Sequence, residues 1–97
     1  MLRSEPPRIR WARSATKHRV GRARSRHVIE HATLRFRVPP PAGQGDDRVV
    51  YLGRDAGGIP LEVVAIEVED GGLFVIHAMP MRRRYVKDLR EVERWQG

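Results

Sequence analysis

Several short segments of the chain alternate between apolar and polar residues with a period of two, which is typical of half-buried β-strands. In segments 8–12 and 34–38, the polar positions are mostly arginines. Segments 48–53, 61–69 and 73–79 are richer in valine, leucine and isoleucine, and residues of this kind fit the pleated surface of a sheet. The pattern therefore predicts five strands.

Turn residues separate the later strands. Asp-Gly-Gly at 70–72 lies between two strand-like segments, and its glycines tolerate the positive φ that a tight hairpin needs. Three prolines at 39–41 end the second strand, because proline cannot donate to a sheet ladder. Since short turns connect antiparallel neighbours, we expect an antiparallel sheet with a hairpin of strands 61–69 and 73–79.

Three segments have helical character. Ser14 is placed to cap a short helix that continues through His18. A second helix is expected from Arg22 to Ala32, and a third over 82–95. The last has one face of larger residues at helical spacing: Tyr85, Leu89, Val92 and Trp95.

The predicted order is β-α-α-β-β-β-β-α, in a single α+β domain of residues 1–97. We expect a small antiparallel sheet with two N-terminal helices and one C-terminal helix over one face. Residues 1–7 are expected to be frayed, because Pro6 and Pro7 disfavour regular structure there.

Charge is distributed unevenly over the 97 residues. The net charge is +7, with +9 over residues 1–38, −5 over 39–78 and +3 over 79–97. Of the basic residues, 17 are arginine and 2 are lysine. This preference suits phosphate recognition, because a guanidinium can pair with two oxygens at once, although codon bias explains it equally well.

Composition excludes several classes of function. The absence of cysteine removes disulfides, thiolate metal sites and cysteine nucleophiles. No apolar run is long enough for a membrane span, so the sequence predicts a soluble, cytoplasmic protein. No phosphate-binding loop or metalloprotease motif occurs, and we expect no cofactor and no metal. His27 and His31 have a spacing that two metal ligands can use, but a third ligand is missing.

The stretch from His77 to Tyr85 carries the best candidate chemistry. His77 interrupts an apolar strand, either as a hydrogen-bonded histidine at the sheet edge or as a site residue. Arg82, Arg83 and Arg84 follow at the start of a helix, where cations are disfavoured by the helix dipole, so phosphate contact is a plausible compensation. Tyr85 is expected either in the core or with its hydroxyl in the same site.

Three segments together resemble the BrnT family of bacterial toxins. They are KHRVGRARSRHVIEHA at 17–32, DDRVVYLG at 46–53 and VIHAMPMRRRY at 75–85, and the ordered set covers about residues 8–90. The chain departs from the family pattern at three positions. Arg19 stands where that family commonly has glycine, Gly21 where it has a capping serine, and Met79 where it has an arginine on the last strand.

The resemblance implies a RelE-like fold and a type II toxin, a small ribonuclease neutralised by an antitoxin. A nearby gene for a ribbon-helix-helix antitoxin is then expected. Metal-independent cleavage by the RNA 2′-hydroxyl needs an acid, a base and cations at the phosphate. The candidate catalytic residues are His18, His77, Arg82, Arg83 and Tyr85. The candidate RNA-binding residues are Lys17, Arg22 and Arg84.

Two other functions compete with this one. A protein with the toxin fold but no catalysis would act as a basic RNA- or protein-binding module, and Met79 favours that alternative. A DNA-binding regulator ranks last, because the sequence has no helix-turn-helix or ribbon pattern.

Overall fold

A computed structural model describes residues 8–43 and 45–96 of the chain, so the predicted frayed segment 1–7 lies outside the described residues. Five strands form one sheet: β1 (Ile9–Trp11), β2 (Leu34–Val38), β3 (Arg48–Arg54), β4 (Pro60–Glu67) and β5 (Leu73–Pro80). Two α-helices accompany the sheet: α1 (Arg22–Glu30) and α2 (Arg83–Gln96). The strand order across the sheet is β1-β5-β4-β3-β2.

The predicted hairpin is confirmed in β4 and β5. The two strands pair antiparallel from Glu67 and Leu73 onward, although β4 ends two residues earlier than expected. Gly71 has a φ of +83°, which only glycine adopts without strain. Gly72 fits because a Cβ there would lie 3.0 Å from the Arg8 carbonyl oxygen. The turn therefore depends on both glycines for different reasons.

The predicted RelE-like order with two N-terminal helices is wrong. Between β1 and α1 the chain forms only a four-residue 3₁₀ turn, Arg13–Thr16, and no α-helix. Ser14 does not cap it; its hydroxyl instead donates to the Ile76 carbonyl oxygen at 2.8 Å. Arg19, at a φ of +60°, turns the chain away from helical geometry. The segment is too short to repay helix nucleation, and contacts with β5 hold it instead.

The predicted wholly antiparallel sheet is also wrong. β1 pairs parallel to β5, with Ile9 opposite Leu73 and Trp11 opposite Val75, so the sheet is mixed. The other neighbouring strands pair antiparallel, as expected. A parallel edge strand needs a long connection, and here most of the chain lies between β1 and its partner.

The two helices cover opposite faces of the sheet, whereas the sequence predicted that all helices lie over one face. On the α1 face, Val28 packs on alternate residues of β3 and β4 such as Val49 and Val63, all with no exposed surface. Gly21 begins α1 as an extended N-cap residue, with its carbonyl accepting from the Ser25 amide at 3.1 Å. This face forms the main core.

On the other face, α2 covers only part of the sheet. Leu89 is its one fully buried residue, and Glu93 pairs with Arg54 at the end of β3. Trp95, predicted on the same helix face as the buried Leu89, is 82% exposed. Neither α1 nor α2 is long and apolar enough to cross a membrane. The uncovered part of this face is called the open face below.

Candidate active site on the open face of the sheet

A β-bulge at Ile76 places His77 on the open face. Val64 pairs with His77 but its neighbour Ala65 pairs with Val75, so one extra residue sits in β5. Strict alternation after Val75 would point His77 into the α1 core. Because the bulge reverses the alternation, His77 lies on the same face as Glu62, and bulges commonly re-aim a side chain in this way.

Glu62 and Arg82 form the strongest ion pair of the site. Glu62 is a β4 residue with no exposed surface, and its side chain accepts bonds from Arg82 Nη2 at 2.9 Å and Nε at 3.0 Å. The Arg82 backbone amide also donates to Glu62 Oε1, at 2.9 Å. These bonds raise the Arg82 pKa, and they satisfy a carboxylate that could not remain buried alone.

His77 lies beside this pair. Its Nε2 is buried, has no hydrogen-bond partner within the described residues, and lies 3.5 Å from Glu62 Oε2. Burial lowers the pKa of His77 below its usual 6.5, although the nearby Glu62 charge opposes the shift. Charge on His18 and Arg82 lowers this pKa further. The ring is therefore neutral at physiological pH, with an imidazole nitrogen able to accept a proton.

His18 is brought to His77 by the turn that replaces the predicted first helix. The bond from Ser14 to Ile76 fixes the 3₁₀ turn against the bulge. The His18 ring then meets the His77 ring edge-on, with centroids 5.7 Å apart. Arg19, the residue after His18, adopts the left-handed conformation that favours glycine. Two imidazoles from distant parts of the chain thus share one site.

Tyr85 and two arginines extend the site along the start of α2. Arg84 Nη2 donates to the Tyr85 hydroxyl at 3.0 Å and stacks over its ring, and Arg82 lies over the same ring. The Tyr85 ring also packs against Phe36 on β2, with 5.9 Å between the ring centroids. Tyr85 is half-buried, so its ring contacts the apolar side of the site while its hydroxyl meets Arg84.

The remaining predicted residues are more dispersed. Arg83 is exposed at the first residue of α2, and Lys17 is exposed beside His18, with no side-chain bond to the cluster found in the described residues. Arg22 lies over Trp11 on the α1 side of the sheet, away from His77. The structure thus brings together five of the eight candidates: His18, His77, Arg82, Arg84 and Tyr85.

No protein-family model, curated protein or solved structure matches this chain. Within residues 8–43 and 45–96, no three His, Asp or Glu side chains gather as a metal site would require. The rings of His27 and His31 do meet at the C-terminal end of α1, with 4.5 Å between centroids, but they remain a pair.

Glu62 is the site residue that sequence analysis missed. The alternation of β4 puts Glu62 on the same face as Val64 and Ile66. A single carboxylate on an otherwise apolar strand face was the signal, because a buried carboxylate requires a partner.

Proposed function

We propose that the protein is the toxin of a type II toxin–antitoxin system, an endoribonuclease that cuts RNA without a metal ion. The observation that carries this is the pairing of a neutral, half-buried His77 with a second histidine, His18, beside an arginine held by a buried carboxylate. Acid, base and phosphate-binding cation are the groups that 2′-hydroxyl attack requires.

In this mechanism, His77 is the base. Its lowered pKa leaves the imidazole unprotonated, so it removes the 2′-hydroxyl proton as the oxygen attacks the neighbouring phosphorus. His18, on the solvent side of the pair, returns a proton to the departing 5′-oxygen. The products are a 2′,3′-cyclic phosphate and a free 5′-hydroxyl.

Arg82 stabilises the charge that gathers on the phosphate. Glu62 holds the Arg82 guanidinium in one orientation through three contacts, and the Arg82 side chain remains 47% exposed, so one edge can still meet a substrate oxygen. Such preorganisation matters because a donor already in place needs no reorganisation during the reaction. Met79 pairs with Glu62 on the same face, so Arg82 supplies the cation from just beyond the strand end.

The same site is where we expect an antitoxin to bind. An acidic segment can replace the RNA phosphates in the groove between Lys17–His18 and Arg82–Tyr85, with charge-assisted bonds to the same arginines. Charge reversal at the exposed Arg83 should then slow association at low salt. An antitoxin that protected only residues 39–78 would contradict this placement.

The direct test is cleavage of a single-stranded RNA in the presence of a chelator. Wild type and the matched control His31→Ala, a histidine on the other side of the sheet, should both produce cyclic-phosphate ends. His77→Ala should lose about 100-fold or more in rate, the usual contribution of a general base. Equal cleavage by His77→Ala, or loss of activity with the chelator, would overturn the mechanism.

Expression of the protein in bacteria without an antitoxin separates the ribonuclease from the alternative, a catalytically inactive binding module. A catalytic toxin should arrest bacterial growth with decay of RNA, and His77→Ala should relieve both effects. Absence of arrest and decay with wild type would favour the catalytically inactive binding module.

A further inference from the structure

A groove at the β1 end of the open face gathers exposed apolar residues. Phe74 and Val68 are 37% and 43% exposed, and they belong to a small set of large hydrophobic residues that the described structure leaves in solvent. Both line one groove of about 500 Å³, together with Arg8 and Arg10. An aromatic ring, an aliphatic neighbour and two arginines thus share a cavity in the size range of small-molecule sites.

The groove lies on the same face of the sheet as the candidate active site. Phe74 and His77 both lie on β5 and face the same side of the sheet, where they pair with Ile66 and Val64 of β4. Those two residues are two positions apart, which is about 7 Å along a strand. Ile66 and Val64 form a half-buried apolar floor between the groove and His77.

Two arginines and two acidic residues, Glu69 and Asp70, line the groove, and Arg10 is the cation placed beside the flat ring of Phe74. Arg10 pairs with Phe74 across the parallel strands, and no ion pair engages it within the described residues. Arg8 makes only a loose contact with Asp70, at 4.0 Å between exposed side chains. The Asp70 carboxylate accepts a bond from the Gly72 amide at 3.0 Å, so it serves the hairpin turn.

We propose that this groove binds one unpaired RNA nucleotide, with its base stacked on Phe74 and a phosphate on Arg10. The inference rests on the proposed function, because it assigns the groove to the nucleotide next to the one cut at His77. Stacking on an exposed aromatic beside arginines is how proteins commonly hold single-stranded RNA. Double-stranded RNA would not fit, since its bases are stacked on each other.

Binding of a fluorescein-labelled 2′-O-methyl oligouridylate tests the groove separately from catalysis, because this probe lacks the attacking hydroxyl. Phe74→Ala should bind about tenfold more weakly, as expected for loss of one stacked base. Phe74→Tyr should bind like wild type, because it keeps the ring. Trp95→Ala, which removes an exposed aromatic at the far end of α2, is the matched control and should bind like wild type.

Arg10→Gln adds a second measurement that does not depend on the ring. It should reduce the slope of log affinity against log salt concentration by about 1, because one fewer phosphate is neutralised. Circular dichroism of each variant checks that the sheet is intact. Equal binding by wild type and Phe74→Ala, or no binding of the probe by wild type, would overturn the subsite.

The outcomes separate this inference from the proposed function. Phe74-dependent binding without any cleavage of natural RNA would keep the subsite and reject the ribonuclease. Cleavage with an unchanged rate in Phe74→Ala would keep the ribonuclease and reject the subsite. Phe74-dependent binding of poly-glutamate in place of the oligouridylate would assign the groove to an acidic protein partner and contradict the proposal.

Discussion

The same strands give the sheet one tightly packed apolar face and one face that carries the polar candidate site. On the α1 face, Leu61, Val63 and Val75 are fully buried in the core that α1 completes together with Ala15 and Val20. On the open face, the alternate residues Glu62 and His77 carry a polar site, and Phe74 remains partly in solvent. A strand can therefore supply stability with one set of side chains and leave the other set free for chemistry.

The bulge in β5 is what allows both uses in one strand. Val75 and Ala78 both face the α1 core although three positions separate them, and His77 turns to the other side between them. The packed face gains a continuous apolar surface, and the open face gains its histidine. The first prediction below compares a residue of one face with a residue of the other.

The largest stability difference is expected between Leu61 and Ile66, which lie on opposite faces of β4. Leu61→Ala should lower the free energy of unfolding by about 2–5 kcal/mol, because it removes a fully buried side chain from a packed core. Ile66→Ala should cost about 1 kcal/mol, because the residue is already half in solvent. Urea denaturation measures both. Equal losses would show that the open face is as tightly packed as the α1 face.

Arg82 is expected to matter almost as much, for an electrostatic reason. Arg82→Met leaves the buried Glu62 carboxylate without its main partner, which should cost about 3 kcal/mol. Arg83→Met, an exposed neighbour, should stay within about 0.5 kcal/mol of wild type. Adding Glu62→Gln to Arg82→Met should recover part of the loss, because no buried charge remains. Similar stability of the two single variants would mean that Glu62 needs no partner.

Arg19 offers the smallest but most local comparison. Arg19→Gly should raise the free energy of unfolding by about 0.5–1 kcal/mol, because glycine adopts the positive φ of this position without strain. Arg19→Ala is the control and should show no such gain, since alanine keeps the Cβ. Thermal unfolding compares the two. An equal response would show that the turn carries no backbone strain.

Local sequence pattern was sufficient where partners are close along the chain. The hairpin of β4 and β5 follows from two apolar segments around Asp70–Gly72, and α1 and α2 follow from helical spacing. The parallel pairing of β1 with β5 could not be predicted, because Ile9 and Leu73 meet only through the finished sheet. The prediction of a helix capped by Ser14 was wrong for a related reason. The Ser14 hydroxyl bonds to β5 rather than to its own turn.

The site was predictable in part, by residue type. His77 stood out because it interrupts an apolar strand, and the arginines after it because they open a helix. Glu62 was missed, because which face of β4 it occupies becomes clear only when the neighbouring strands are in register. The bulge that joins Glu62 to His77 also has no signal in residue order alone.

The most direct test of the account is the pH dependence of RNA cleavage under kcat/KM conditions. A base must be unprotonated, so on the acidic side the rate should fall tenfold per pH unit below the lowered pKa of His77. The acidic limb should therefore lie below 6.5, the ordinary histidine value. In Glu62→Gln it should move lower still, because the carboxylate opposes the effect of burial. A limb at or above 6.5, or a rate independent of acidification, would contradict His77 as the base on the open face.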